Sequence, residues 1–200
     1  VFRWILRIIL IVGVGGFLHY TLPQHDIVRI TDTYEKRIDF GSNSWFWASA
    51  DAGAATNATN RDVFFIQTFM TDDSPMIYRN EDTGWSWPPY FKFDTSNLQA
   101  EASDLMSKKN EGDPQWAVVT HYGWRNEYFS IYPNAVSIRP ANGPDEQIIP
   151  WFNIVLLTIL AGVFWAVWVR WVRFRTARID PITQRIGDWF SDIWLKIRRK

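Results

Sequence analysis

Pro150 to Arg170 reads PWFNIVLLTILAGVFWAVWVR, and this stretch decides the architecture. From Trp151 to Val169 it runs 19 residues without a formal charge, close to the roughly 20 that a helix needs to cross a hydrocarbon core about 30 Å thick. It is read as a transmembrane helix, residues 150–171. Pro150 suits the first helical position, where its missing N–H is an orphan in any case, and Trp151 places an amphipathic indole at headgroup level. Arg170, Arg173, Arg175 and Arg178 close the far side. By the positive-inside rule that cluster stays in the cytoplasm, and what precedes Pro150 lies across the membrane from it.

The N-terminus repeats the pattern. Residues 1–20, VFRWILRIILIVGVGGFLHY, open on a basic flank and run apolar from Ile8 to Leu18. No small-x-small cleavage pattern follows Leu18, so the segment is expected to persist as a first membrane helix. Arg7 lies one turn inside its cytoplasmic edge, where the guanidinium can bend back to the headgroups. Gly13, Gly15 and Gly16 gather small residues, and Gly13 and Gly16 mark a face that another helix can approach closely.

Formal net charge is zero, yet it is partitioned. Residues 21–149 carry ten Lys/Arg against eighteen Asp/Glu, whereas residues 150–200 carry nine against three. A nucleic-acid binder would gather its basic residues on the folded domain; here the middle is acidic, which argues for membrane orientation and against DNA or RNA. Cysteine is absent, which removes disulfides, thiolate catalysis and cysteine metal sites together. Thirteen Trp and fourteen Phe supply residues suited both to a core and to headgroup belts.

Between the apolar segments the periodicity is short. DIVRITDTYEKRIDF predicts a strand or hairpin, Arg61–Met70 a second strand, Pro75–Tyr78 a third, and Tyr90–Phe93 alternates as another. Residues 41–61 are small and polar apart from Trp45-Phe46-Trp47 and read as a long loop, the aromatic triplet either tucked on the core or set against a membrane or partner. Asp94-Thr95-Ser96 offers caps for a helix over Asn97–Lys109, with Leu98, Ala102, Leu105 and Met106 on one face. Trp116–Tyr122, Tyr128–Tyr132 and Asn134–Arg139 complete a set of six or seven strands, and Pro140–Pro144 forms a linker. The expected fold is membrane-anchored α+β: two transmembrane helices flanking a mostly antiparallel β domain, residues 21–149, of barrel or sandwich type with one helix.

In the tail, residues 172–200, Asp180 is placed as an N-cap and Pro181 as the first residue of an amphipathic helix, 181–199. Ile182, Ile186, Trp189, Phe190, Ile193, Trp194 and Ile197 share one side. Arg170, Arg173, Arg175, Arg185, Lys196 and Arg199 are expected to face anionic lipid on the cytoplasmic side. On the second membrane helix Trp165, Trp168 and Trp171 recur every third residue, a side that would meet a partner helix, a quinone or a pigment, with the last two suited to the lipid belt.

His19, His25 and His121 are too dispersed for a sequence-local metal motif, although His25-Asp26 would supply two ligands with His121 brought up by folding. Neither a G-x-S-x-G context nor a glycine-rich phosphate loop is present. Glu81-Asp82 and Asp72-Asp73 read as solvated turns. No cofactor and no catalytic residue are expected.

Several strings together carry a resemblance: Leu22-Pro23-Gln24-His25-Asp26, Arg79-Asn80-Glu81-Asp82-Thr83-Gly84-Trp85, Tyr90-Phe91-Lys92-Phe93-Asp94, Pro133-Asn134-Ala135-Val136 and Ile149-Pro150-Trp151-Phe152-Asn153. With these the chain resembles an uncharacterised family of proteobacterial inner-membrane proteins, a domain of unknown function found largely in alphaproteobacteria. The resemblance leaves out the 41–60 loop, which looks like an insertion, and the far C-terminal tail. It implies a bacterial inner membrane, with the middle domain periplasmic, and brings no catalytic residue; the arginine flanks of the two apolar segments put both termini in the cytoplasm. The function expected is a non-catalytic accessory or assembly subunit of an integral membrane protein complex, respiratory or photosynthetic. Contacts are expected through Gly13, Gly16, Trp45, Phe46, Trp47, Trp151, Trp165, Trp168, Trp171, Trp189 and Trp194. Two alternatives stand beside it: a self-assembling envelope scaffold, that is a homo-oligomer, and a periplasmic ligand binder or enzyme using His25, Asp26 and His121.

Overall fold

The computed structural model describes residues 2–39, 60–108, 110, 114–185 and 187–189. The Trp45-Phe46-Trp47 triplet and most of the 41–61 loop lie outside these residues, as do Trp194, Lys196 and Arg199. The chain forms two units, residues 1–150 and 151–200.

In the first unit helix α1, Phe2–Thr21, leads through Leu22-Pro23 into a closed five-stranded barrel of order β1-β2-β3-β5-β4. The strands are β1 Gln24–Asp39, β2 Asn60–Met70, β3 Pro75–Asn80, β4 Ala117–Tyr122 and β5 Asn134–Pro140. Four pairings are antiparallel; β3 and β5 meet in parallel through a single pair, Arg79 opposite Asn134. Strand β1 does double duty. Its residues Gln24–Val28 pair with β4 and its residues Val28–Asp39 pair with β2. A register shift between Ile30 and Asp32 bends it, as an extra residue in one strand does.

The interior follows from strand alternation, which turns every second side chain inward. Val28, Ile30, Ile66, Tyr78, Ala117, Val119, Ala135 and Ile138 fill it. Helix α2, Thr95–Asp104, adds Leu98 and Ala102, with Leu105 just beyond its end. Its start is fixed by the Asp94 carboxylate, which accepts from the backbone N–H of Asn97 at 3.1 Å, as an N-cap does.

Four local expectations are corrected. Tyr90–Phe93 is not a strand: Phe91 has φ 53°, and the carbonyl of Lys92 folds back to accept from the N–H groups of Thr83 and Gly84. Tyr128–Tyr132 is a turn, closed by Asn126 and Ile131 bonding each other's backbone, with Ser130 at φ 52°. Helix α2 stops well before Lys109, because Ser107 leaves to donate to the Ile30 carbonyl at 2.9 Å. Met106 consequently does not share the buried face and is exposed.

In the second unit α3, Trp151–Phe174, has no buried residue. It continues without a break into a π-helical turn, Arg175–Ile179, and helical residues follow to 185. Asp180 is therefore not an N-cap; its φ of −59° and ψ of −41° are helical and its N–H reaches back to Arg175. Pro181 explains the turn. It lacks an N–H, and its ring crowds the carbonyl four residues earlier, so widening the preceding turn lets the helix pass. Both α1 and α3 are long and apolar enough to cross a membrane.

Candidate functional site

The start of β1 and the end of β4 are neighbours: Gln24 pairs with His121, His25 with Thr120 and Asp26 with Val119. Alternation turns Asp26 and His121 into the barrel, beside Tyr78 of β3. His121 Nε2 lies 2.8 Å from Asp26 Oδ2. The Tyr78 hydroxyl donates to the same oxygen at 2.6 Å, and the Tyr78 and His121 rings sit 5.1 Å apart. His121 Nδ1 is buried with no hydrogen-bond partner among the described residues. Burial alone would raise the Asp26 pKa, but the His121 and Tyr78 contacts outweigh it and hold the carboxyl below its ordinary value. Tyr78 moves the other way, well above its ordinary value, through burial and the Asp26 charge.

His25 belongs to the opposite face of β1. It is partly exposed, and burial followed by the charges of His121 and Arg139 lowers its pKa. Folding thus joins Asp26 to His121 and leaves His25 out. Among the described residues no three His, Asp or Glu side chains come together as a metal site. What the Asp26–His121–Tyr78 group offers chemically is a carboxylate–imidazole couple inside a packed core.

A second, larger polar group lies where β3 ends and β5 begins. The solvated-turn reading fails for Glu81, which is buried with Arg79, Asn80, Lys92 and Asn134; it holds for Asp72 and Asp73, which are exposed. Arg79 Nη1 donates to Glu81 Oε2 at 2.8 Å. Asn134 clasps the Glu81 backbone from both sides, its Oδ1 accepting from Glu81 N at 2.9 Å and its Nδ2 donating to Glu81 O at 3.0 Å. Lys92 Nζ donates to the side chain of Asn80, to Glu81 O at 3.2 Å and to Ala135 O at 2.9 Å. Its three donors are all used. Burial pushes the Lys92 pKa down to about 7, against the opposing pull of Asp82 and Glu81. Among the described residues only one pair joins β3 to β5, and these side chains bridge the same seam.

Arg79 and Tyr122 lie on the outer face of their strands, where the end of α1 covers them. Arg79 bonds the Tyr20 side chain, Tyr20 O accepts from Gly123 N at 2.9 Å, and the Tyr90 hydroxyl donates to Thr21 O at 2.7 Å. Tyr90 stacks on Tyr122 at 4.9 Å. Gly123 has φ 95°, a conformation that side chains with a Cβ rarely adopt, so the turn favours glycine there. Burial raises the pKa of both Tyr90 and Tyr122.

The remaining contact residues divide. Gly16 faces the Trp124 ring 3.9 Å from where a Cβ would stand, whereas Gly13 has open space. Trp151, Trp165, Trp168, Trp171 and Trp189 are exposed, and Phe164, Trp165 and Trp168 line a shallow apolar notch. Arg170, Arg173, Arg175 and Arg185 are exposed. The polar group around Arg79, Glu81 and Lys92 was missed by motif reasoning. Its signal was Lys92 itself, a charge inserted in the aromatic run Tyr90-Phe91-Lys92-Phe93, and three of the quoted strings converge on it.

The model of a family described as "Protein of unknown function (DUF1523)" matches residues 1–175. An "Uncharacterized protein" of Haemophilus influenzae is 35% identical over 169 residues, covering 82% of this chain and 90% of that protein. No solved structure matches.

Proposed function

The chain belongs to the DUF1523 family of proteins of unknown function, and from that premise we propose that it is a two-pass inner-membrane protein acting as a non-catalytic accessory or assembly subunit. The observation that carries this reading is the exposure of α1 and α3: the apolar window of each is unburied. In water such surfaces would be unstable, since each large apolar side chain left exposed forgoes about 1.5–3 kcal/mol of burial. Lipid on all sides and a neighbouring helix on one resolve that. The barrel supports the non-catalytic half of the reading, because its buried charged side chains are engaged in structural bonds: Arg79 with Glu81, and Lys92 with one amide and two backbone oxygens.

Reporter fusions test the topology. An export-dependent reporter at Asn110 is expected to be active and the same reporter at Lys200 silent; activity reversed between the two sites ends the two-pass reading with a periplasmic barrel. Function is tested by mild-detergent purification and native mass measurement. Reproducible association with other integral membrane proteins is expected. A pure homo-oligomer moves the reading to a self-assembling scaffold, and the bare monomer removes both.

A further inference from the structure

The loop from Thr83 to Phe93, TGWSWPPYFKF, has one formal charge, Lys92, and that charge is turned inside the barrel. What remains outside is apolar and large: Trp85, Trp87, Phe91 and Phe93 are all more than half exposed. Trp85 packs edge-on against Phe91 at 5.3 Å and tilts over Phe93 at 5.7 Å, so the rings form one patch. Phe91 takes a left-handed conformation, φ 53°, which is costly for a bulky residue. Held that way it points outward, while Lys92 beside it points inward. An exposed patch of this kind on a folded domain marks an interaction surface.

Its position says what covers it. Trp87 stacks on Phe17 of α1, ring centroids 5.7 Å apart. On the other strand connection Trp124 lies against Gly16 and donates to His19 Nδ1 at 2.9 Å. Phe17 is four residues before the end of α1, about 6 Å along the helix axis. The barrel indoles therefore flank the last turns of α1 instead of standing beyond them. From Arg3 on its basic flank to Thr21, α1 rises about 27 Å, close to the thickness of the hydrocarbon core. If α1 spans, its last turns are at the hydrocarbon boundary, and the indoles beside them are at headgroup depth, where Trp is favoured.

We infer that Trp85, Trp87, Phe91, Phe93 and Trp124 form a collar that seats the barrel in the lipid headgroup layer around the exit of α1. The occupant of this surface is the bilayer itself. This rests on the two-pass reading above and extends it: the barrel is a lipid-contacting domain whose orientation is fixed by two attachments, the helix and the collar.

The absence of native cysteine makes the test direct. Single-cysteine variants Trp85→Cys, Phe91→Cys, Val12→Cys and Lys36→Cys are spin-labelled in the full chain and reconstituted into phosphatidylcholine–phosphatidylglycerol vesicles. Relaxation by oxygen, which concentrates in lipid, is compared with relaxation by a water-soluble nickel chelate. Val12 in mid-α1 is expected to show oxygen dominance, Lys36 on β1 nickel dominance, and Trp85 and Phe91 an oxygen-to-nickel ratio severalfold above Lys36. Lipid contact at Val12 with Trp85 and Phe91 matching Lys36 overturns the collar while leaving the membrane reading intact, and points to a protein partner for the patch. Water contact at Val12 overturns the membrane reading itself. Because either label removes one ring of the patch, Pro89→Cys, on the same loop with every ring retained, is measured alongside; nickel dominance there also overturns the collar.

Discussion

Glu81→Leu is expected to destabilise the barrel by about 3–5 kcal/mol, the range for removing one partner of a buried ion pair. Arg79 and Glu81 are 2.8 Å apart with both side chains at or below 6% exposure. Taking away the carboxylate leaves a guanidinium buried under α1 without that counter-charge, and an arginine cannot shed its proton to escape. The double variant Arg79→Met/Glu81→Leu is expected to recover much of the loss, because an apolar pair of similar volume has no desolvation cost. Guanidinium denaturation of the full chain in detergent, followed by near-ultraviolet circular dichroism, measures both. Equal stability of Glu81→Leu and the wild type would mean that the pair carries no weight.

The second large effect is a rise in stability with pH. Burial holds Lys92 at about 7 in the fold, against about 10.4 in an unfolded chain. Between those values the unfolded chain binds the extra proton, so stability increases with pH by up to about 1.4 kcal/mol per unit. The gain is complete above the unfolded value and is lost as pH falls toward the folded one. Tyr78, Tyr90 and Tyr122, all raised by burial, act oppositely at the top of the range, since what they contribute is present below about 10 and lost as pH rises further. The wild type is thus expected to peak near pH 10. Denaturation midpoints at pH 7, 8 and 9 are compared with Lys92→Met, which should show a markedly flatter profile; parallel profiles would assign the slope to other groups.

The barrel was largely legible in sequence because its strands are rich in β-branched and aromatic residues, as in Ala117–Tyr122 and Arg61–Met70. At Tyr90–Phe93 and at Glu81 a tertiary bond had overruled a local pattern. Tyr90–Phe93 alternates like a strand, yet Lys92 is worth more to the barrel as an inward clasp than as one rung of a ladder, and Phe91 adopts a positive φ to allow it. Glu81-Asp82 looks like a solvated turn because a single sequence does not show that Asn134, more than fifty positions later, will close over Glu81. The sequence put Asp26 and His121 in one candidate group, and folding brings them together. The exclusion of His25 required the alternation of β1 to be known in register. Asp180-Pro181 gave every local sign of a helix start, and a π turn absorbed the proline instead.

The order of the strands has a mechanical consequence. β4 lies between β1 and β5 and runs opposite to both, so β1 and β5 point the same way. α1 joins β1 at Gln24, opposite His121 near the end of β4, whereas the chain leaves β5 at Pro140, opposite Ala117 at the start of β4. Tension applied at these two exits pulls along the strands from opposite ends. The ladder bonds on either side of β4 are then loaded together, in shear, and must fail as a group; a hairpin pulled from adjacent ends would unzip one bond at a time. A domain pulled by both of its ends would in this way resist far better than a hairpin holding the same number of ladder bonds.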